Sequence, residues 1–168
     1  MNISGESLIV ILIVGIDSAT ERVDAVALKD GVIVEHFSSV TFKKVPRGQA
    51  LKIMREQTFI WLENLYHYYE EPTIFIEESI MVRSTRVAIQ LAQTVGMLLS
   101  LPYPAYAVPI DSWKQSAVGK GGVSKQEVRA AIVSRFPETD LLFGTRQDLF
   151  DATGVALYGE EIVARKLD

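Results

Sequence analysis

The chain has 168 residues, 48% of them hydrophobic and 23% charged, enough apolar material for one domain with a real core and too much for a disordered segment. It contains no cysteine, which excludes a disulfide scaffold, a thiolate metal site and a cysteine nucleophile, and fits a reducing, cytoplasmic setting. The net charge of −4 weighs against a uniformly basic nucleic-acid binder.

The first element is the apolar run over residues 8–16, LIVILIVGI. It is too short to span a bilayer, which takes roughly 20 residues. Residues 1–7 carry only Glu6 and no basic group, so the run is not a typical secretory leader. It reads as a strand buried on both faces, of the kind found in helix-covered sheets. It ends in Asp17 and a small polar turn. Residues 23–28 and 32–42 read as two more strands, joined by Lys29-Asp30-Gly31, whose Asp-Gly pair is a strong hairpin signal.

Leu51, Met54, Trp61, Leu62 and Leu65 recur at helical spacing and predict an amphipathic helix over 47–69, with Pro72 just beyond it. Residues 73–76 form a short apolar strand that ends, like the first, in carboxylates, Glu77 and Glu78. A second helix fits 86–100, with Val87, Leu91, Val95 and Leu98 on one face, and a short strand fits 106–108. Ser124 followed by Glu127 is a capping box that opens a helix ended by Pro137. The last helix runs from about 146 toward 165, with Thr145 as its cap. Three strands, helix, strand, helix, strand and two helices predict an α/β fold in one domain, 1–168. Its sheet is mixed and five-stranded, an antiparallel hairpin group plus parallel strands joined by helical crossovers.

The carboxylates carry the chemistry. If the first and fourth strands are parallel neighbours, Asp17 and Glu77 emerge at one edge of the sheet, where ligands of open α/β sheets bind. Asp148 and Asp151, three apart near the start of the last helix, share one face. Val155 continues that face inward, so the helix presses on the sheet and brings its acids toward Asp17 and Glu77. Each acid alone reads as a turn former, a strand end or a surface residue. Four together repel one another, and burial raises the cost. An all-oxygen donor set without histidine or cysteine suits Mg²⁺ or Mn²⁺, and two such ions could clamp a phosphoryl displacement. The basic residues are also segregated. Lys43, Lys44, Arg47, Lys52 and Arg55 fall in a stretch without acids, and residues 80–136 hold seven basic groups against two acids. Such segments are compatible with a polyanion despite the acidic total. The Gly119-Lys120-Gly121-Gly122 loop could let backbone amides approach phosphate.

Four segments in order, GIDSAT, IFIEESIMVRSTRVAIQLAQTVGML, WKQSAVGKGGVSKQEV and QDLFDATGVAL, span nearly the whole chain. Together they resemble the RuvC family of Holliday-junction resolvases, built on an RNase H-like fold. The resemblance implies that Asp17, Glu77, Asp148 and Asp151 are catalytic acids that hold two Mg²⁺, with Mn²⁺ able to substitute. It implies DNA contacts from Lys114, Lys120 and Lys125, and from Ser79, Ile80, Arg83 and Arg86 in and beside a loop that enters the junction. It further implies a homodimer that cuts opposed strands of a four-way DNA junction. Three departures stand out: Ser18-Ala19 in place of the family's Pro-Gly, Ile80 in place of an aromatic wedge, and Asp148 where some relatives have histidine. His36 and His67 match no catalytic position. Two other readings stay open: a less selective RNase H-like nuclease acting on forks, flaps or hybrids, and a non-catalytic junction-binding protein.

Overall fold

A computed structural model describes residues 11–40, 44–78 and 84–167. Its strands are β1 (Leu12–Ser18), β2 (Val23–Lys29), β3 (Val32–Ser38), β4 (Pro72–Glu78) and β5 (Ala105–Pro109). Its helices are α1 (Arg47–Tyr68), α2 (Thr85–Leu99), α3 (Ile110–Val118), α4 (Lys125–Arg135), α5 (Thr139–Phe143) and α6 (Gln147–Leu167). The five strands form one mixed sheet in the order β3-β2-β1-β4-β5. β1 is antiparallel to β2 and parallel to β4, and β4 is parallel to β5. This is the expected sheet.

The long elements lie where the sequence puts them, and the differences are local. The Asp-Gly hairpin forms between β2 and β3, with Asp30 at φ 53° and Gly31 at φ 73°, the two positive values a type I′ turn requires. The third strand ends at Ser38 rather than 42, and residues 8–10 and 41–42 of the expected strands lie outside the described residues. Pro72 opens β4 instead of merely following α1, a position that needs no ladder N–H. Two helices were not expected, α3 and the five-residue α5. α3 has the marks of a short helix: Pro109 at its start, Asp111 in its first turn and Gly119 in the left-handed conformation at its end (φ 85°). It is too short to show a hydrophobic period.

The sheet has a packed layer on each side. Leu12, Val14, Ile16, Ile74 and Ile76 face α1 and α2, with Met54, Leu62, Leu65 and Leu98 against them. Ile13, Val26, Leu28 and Phe75 face the other way, against Trp113, Val128, Ile132, Phe150 and Val155 of α3, α4 and α6. By the two-residue period of a strand, Asp17, Asp24 and Glu77 belong to this second face. α6 lies directly on it because small residues meet there. A methyl on Gly15 would stand 2.2 Å from the Ala152 carbonyl oxygen and 2.3 Å from the Ala156 nitrogen. Gly159 is likewise filled by Phe75, and Gly154 by Trp113. The close approach brings the start of α6 over the ends of β1 and β4.

Candidate active site

β1 and β4 run in the same direction with Ile16 beside Ile76, so Asp17 and Glu77 each lie one step further, at the same edge. Asp148 and Asp151 sit in the first turns of α6, above them. Asp17, Asp148 and Asp151 each offer a carboxylate oxygen, all within 4.8 Å of one another. Glu77 lies outside that tight group but lines the same cavity of about 420 Å³, with Lys114 and Lys125 on its wall. One Glu77 oxygen accepts a hydrogen bond from the buried Trp113 indole at 3.0 Å. The α3 helix, invisible in the sequence pattern, thus supplies both the orienter of Glu77 and Lys114.

The acids are held under strain of charge. The Asp17 carboxyl sits well above the usual carboxylate range. Enclosure by protein is the largest cause, followed by the charges of Glu77, Asp151, Asp148 and Asp24. Asp151 is also raised, again chiefly by burial, while the Gln147 amide and Lys125 oppose the shift. Gln147 Nε2 donates to Asp151 at 3.0 Å, and Lys125 Nζ lies 3.7 Å from Asp148 and 3.8 Å from Asp151. Half-buried repelling carboxylates with only oxygen donors suit a hard divalent cation, which would remove the repulsion and offset the desolvation. The donor set therefore fits Mg²⁺ or Mn²⁺.

The remaining expected contacts separate. Lys114 and Lys125 face the acids. Lys120 does not line their cavity: it pairs with Glu127 at 2.8 Å, and with Ser124 it holds that exposed carboxyl down at about 2. Arg86 is exposed near the start of α2 and lines a neighbouring hollow with Thr20, Glu21 and Arg47. Ser79, Ile80 and Arg83 lie outside the described residues. Arg47, counted in the first basic stretch, is largely structural. It donates to Thr94 Oγ1 at 2.6 Å and to the carbonyls of Thr20 and Gln90, tying α1, α2 and the β1–β2 loop together. Sequence reasoning missed Arg22 and Asp24. Asp24 is directly opposite Asp17 in the β1–β2 register and 1% exposed, and Arg22 joins it to Asp148.

No family model matches the chain. Over 152 residues it is 28% identical to the crossover junction endodeoxyribonuclease RuvC of Chlamydia trachomatis serovar L2, a match covering 87% of this chain and 89% of the relative. The RuvC of Chlamydia trachomatis serovar A matches to the same extent. Among solved structures, Thermus thermophilus RuvC in complex with Holliday junction substrate superposes with a TM-score of 0.76 at 16% identity, over 93% of this chain and 96% of that one. A second Thermus thermophilus RuvC structure gives 0.71 at 18% identity, over 93% and 97%. The chain has a RuvC-family fold. The RuvC-like sheet places Asp17 and Glu77 on adjacent parallel strands, and the RuvC-like α6 brings Asp148 and Asp151 to them. The segments that carried the resemblance thus converge on one rim: GIDSAT closes β1, IFIEE closes β4, and QDLFDATGVAL opens α6.

Proposed function

We propose that this chain is a divalent-metal-dependent endodeoxyribonuclease that resolves four-way DNA junctions. The observation that carries the reading is the meeting of Asp17, Asp148 and Asp151 within 4.8 Å, in a cavity shared with Glu77, Lys114 and Lys125, on a RuvC-family fold. Asp17, Glu77, Asp148 and Asp151 would hold a pair of Mg²⁺ ions, with Mn²⁺ as a substitute. Bound there, such ions supply Lewis-acid stabilisation of the scissile phosphate and of the departing 3′ oxygen, and acidify the attacking water. The chain's own groups do the rest. Trp113 fixes the Glu77 carboxylate by its indole N–H. Lys125, which lies 3.7 Å from Asp148 and 3.8 Å from Asp151, would offer its positive charge to an incoming phosphate once those acids held cations. Lys114, on the same wall, adds a second positive charge against the charge that develops in the transition state.

The substrate has two-fold symmetry, and a C₂ dimer would present two such sites to opposed strands. The hollow along α2, bordered by Glu78 at the end of β4, supports a self-contact. Ala88, Ala92 and Gly96 form a small-residue stripe flanked by Leu91, Val95 and Leu99, and Ile89 beside it is 55% exposed. Soluble chains do not usually leave such a helix face uncovered.

The test uses Asp17→Asn on a synthetic mobile four-way junction in Mg²⁺. The variant is expected to bind the junction while losing cleavage by at least about a hundredfold, the upper end of what losing even a group that only orients a metal ligand costs. Cleavage at the wild-type rate, or a preference for linear duplex, forks or hybrids over the junction in the wild type, would overturn the proposal.

A further inference from the structure

The reaction as proposed does not use Arg22 and Asp24, yet Arg22 holds one of its acids and Asp24 holds Arg22. Asp24 is 1% exposed, and a carboxylate so placed needs a counter-charge and hydrogen bonds. It has both. Arg22 Nε donates to it at 2.6 Å, and the Ser38 hydroxyl donates at 2.5 Å. The same guanidinium reaches across to α6 through a terminal nitrogen and holds Asp148 Oδ2. One planar fork therefore bridges the β1–β2 hairpin and α6, elements 126 residues apart at these positions.

Asp148 is the acid that most needs such a hold. Its side chain is 29% exposed against 10% for Asp151, and it lies in the first turn of α6, where helices fray. Asp151 is fixed by burial and by Gln147. Asp17 is fixed in the sheet. A bare guanidinium beside Asp148 would rival a divalent cation for the same carboxylate. Here the Arg22 charge is already matched by Asp24, so the pair orients Asp148 while adding little net charge to the cavity. The Arg22 contact engages Oδ2, and the other oxygen, Oδ1, is the one Lys125 approaches at 3.7 Å.

We propose that Arg22, anchored by Asp24, is a positioning residue that pins one oxygen of Asp148 so that the other is presented to the ions of the site. The inference rests on the reading of Asp148 as a metal-holding acid. Lysine cannot replace arginine in this role, because a single ammonium has no planar fork with which to span the two carboxylates.

The experiment is calorimetric titration of the full chain with Mn²⁺ alone, with no DNA present. It compares wild type, Arg22→Lys, Asp24→Asn, the double variant and Asp151→Asn. Arg22→Lys is expected to weaken Mn²⁺ about tenfold, the usual effect of losing a group that orients a metal ligand, although the charge is conserved. Asp24→Asn should weaken it by a similar factor, and the double variant should be no worse than the weaker single, because the two act as one unit. On the junction, Arg22→Lys should raise the metal concentration for half-maximal cleavage and leave kcat at saturating metal close to wild type, a split that a general loss of structure would not produce. If Asp24→Asn fails to fold, the half-exposed Arg22→Lys decides alone. Wild-type Mn²⁺ affinity in Arg22→Lys, or tighter binding, together with loss of binding in Asp151→Asn, overturns this inference and leaves the nuclease reading intact. Absence of Mn²⁺ binding by the wild type overturns both.

Discussion

Asp17 shows how a single enclosed side chain can work against the fold that holds it. Its carboxyl is raised above the ordinary value of 3.8, so the native chain keeps this proton to higher pH than the unfolded chain does. Below 3.8 both states are protonated and the group is neutral toward stability. As pH rises through that value the unfolded state ionises first, and native stability falls until the pH passes the native pKa. At neutral pH, without metal, Asp17 therefore destabilises the protein. Asp17→Asn in the presence of a chelator should melt several degrees above wild type at pH 7.5, at about 2–4 °C per kcal/mol for a chain of this size. The difference should shrink as the pH is lowered toward 4. Added Mg²⁺ should raise the wild-type midpoint and move that of Asp17→Asn much less. Scanning calorimetry across pH checks both. An Asp17→Asn midpoint equal to or below wild type at pH 7.5 would show that the cluster is not the repelling one described.

At the scale of elements, the site depends on how closely α6 can lie on β1. Gly15 marks that contact, since even one methyl there would collide with backbone atoms of Ala152 and Ala156. Backbone cannot step aside as a side chain tip can, so Gly15→Ala should cost at least about 2 kcal/mol. It should lower the melting midpoint by about 5 °C or more. Because the shift carries Asp148 and Asp151 away from Asp17, Mn²⁺ affinity should fall as well. A melting scan and a Mn²⁺ titration check this, and an unchanged affinity would mean that the helix spacing does not set the acids. The same contact explains what the sequence could tell. The apolar run ending at Asp17, the strand ending at Glu77 and the Asp-x-x-Asp at the head of α6 were legible, because burial writes itself as continuous or periodic hydrophobicity. α3 was not, because nine residues are too few to display a period, though Pro109 and Gly119 bracket it. The Arg22 bridge was not legible at all. It depends on the register that sets Asp24 opposite Asp17 and on a contact spanning 126 residues, neither of which leaves a local mark. The pairing of Lys120 was equally hidden in the sequence. Lys120 lies within a motif that resembles a phosphate loop, but the Glu127 of the adjacent capping box takes its charge.

For the whole molecule, the acidic total and the basic rim fit together once the charges are located. The acids of the cavity need cations, and several of the basic groups counted in the sequence are taken up internally. Arg47 ties helices, Arg129 pairs with Asp140 at 2.6 Å, and Lys120 pairs with Glu127. Lys114 and Lys125 line the cavity itself, so positive charge stands beside its acids. A monomer built this way has one cavity of this kind among its described residues, whereas resolving a junction takes two cuts on opposed strands. In the proposed dimer the seam is the small-residue stripe of α2, which would allow two helices to approach closely and would bury the exposed Ile89 and Leu99 in a two-fold contact. Ala92 lies at the middle of that stripe. Ala92→Glu would set two like charges against each other across the axis and strip both of water. It should convert a particle of twice 18.7 kDa to a monomer in light scattering, with Mn²⁺ affinity unchanged, since α2 contributes none of the acids. On the junction the variant should give single nicks in place of paired cuts. A monomeric wild type, or an Ala92→Glu that stays dimeric and still makes paired cuts, would place the seam elsewhere on the molecule.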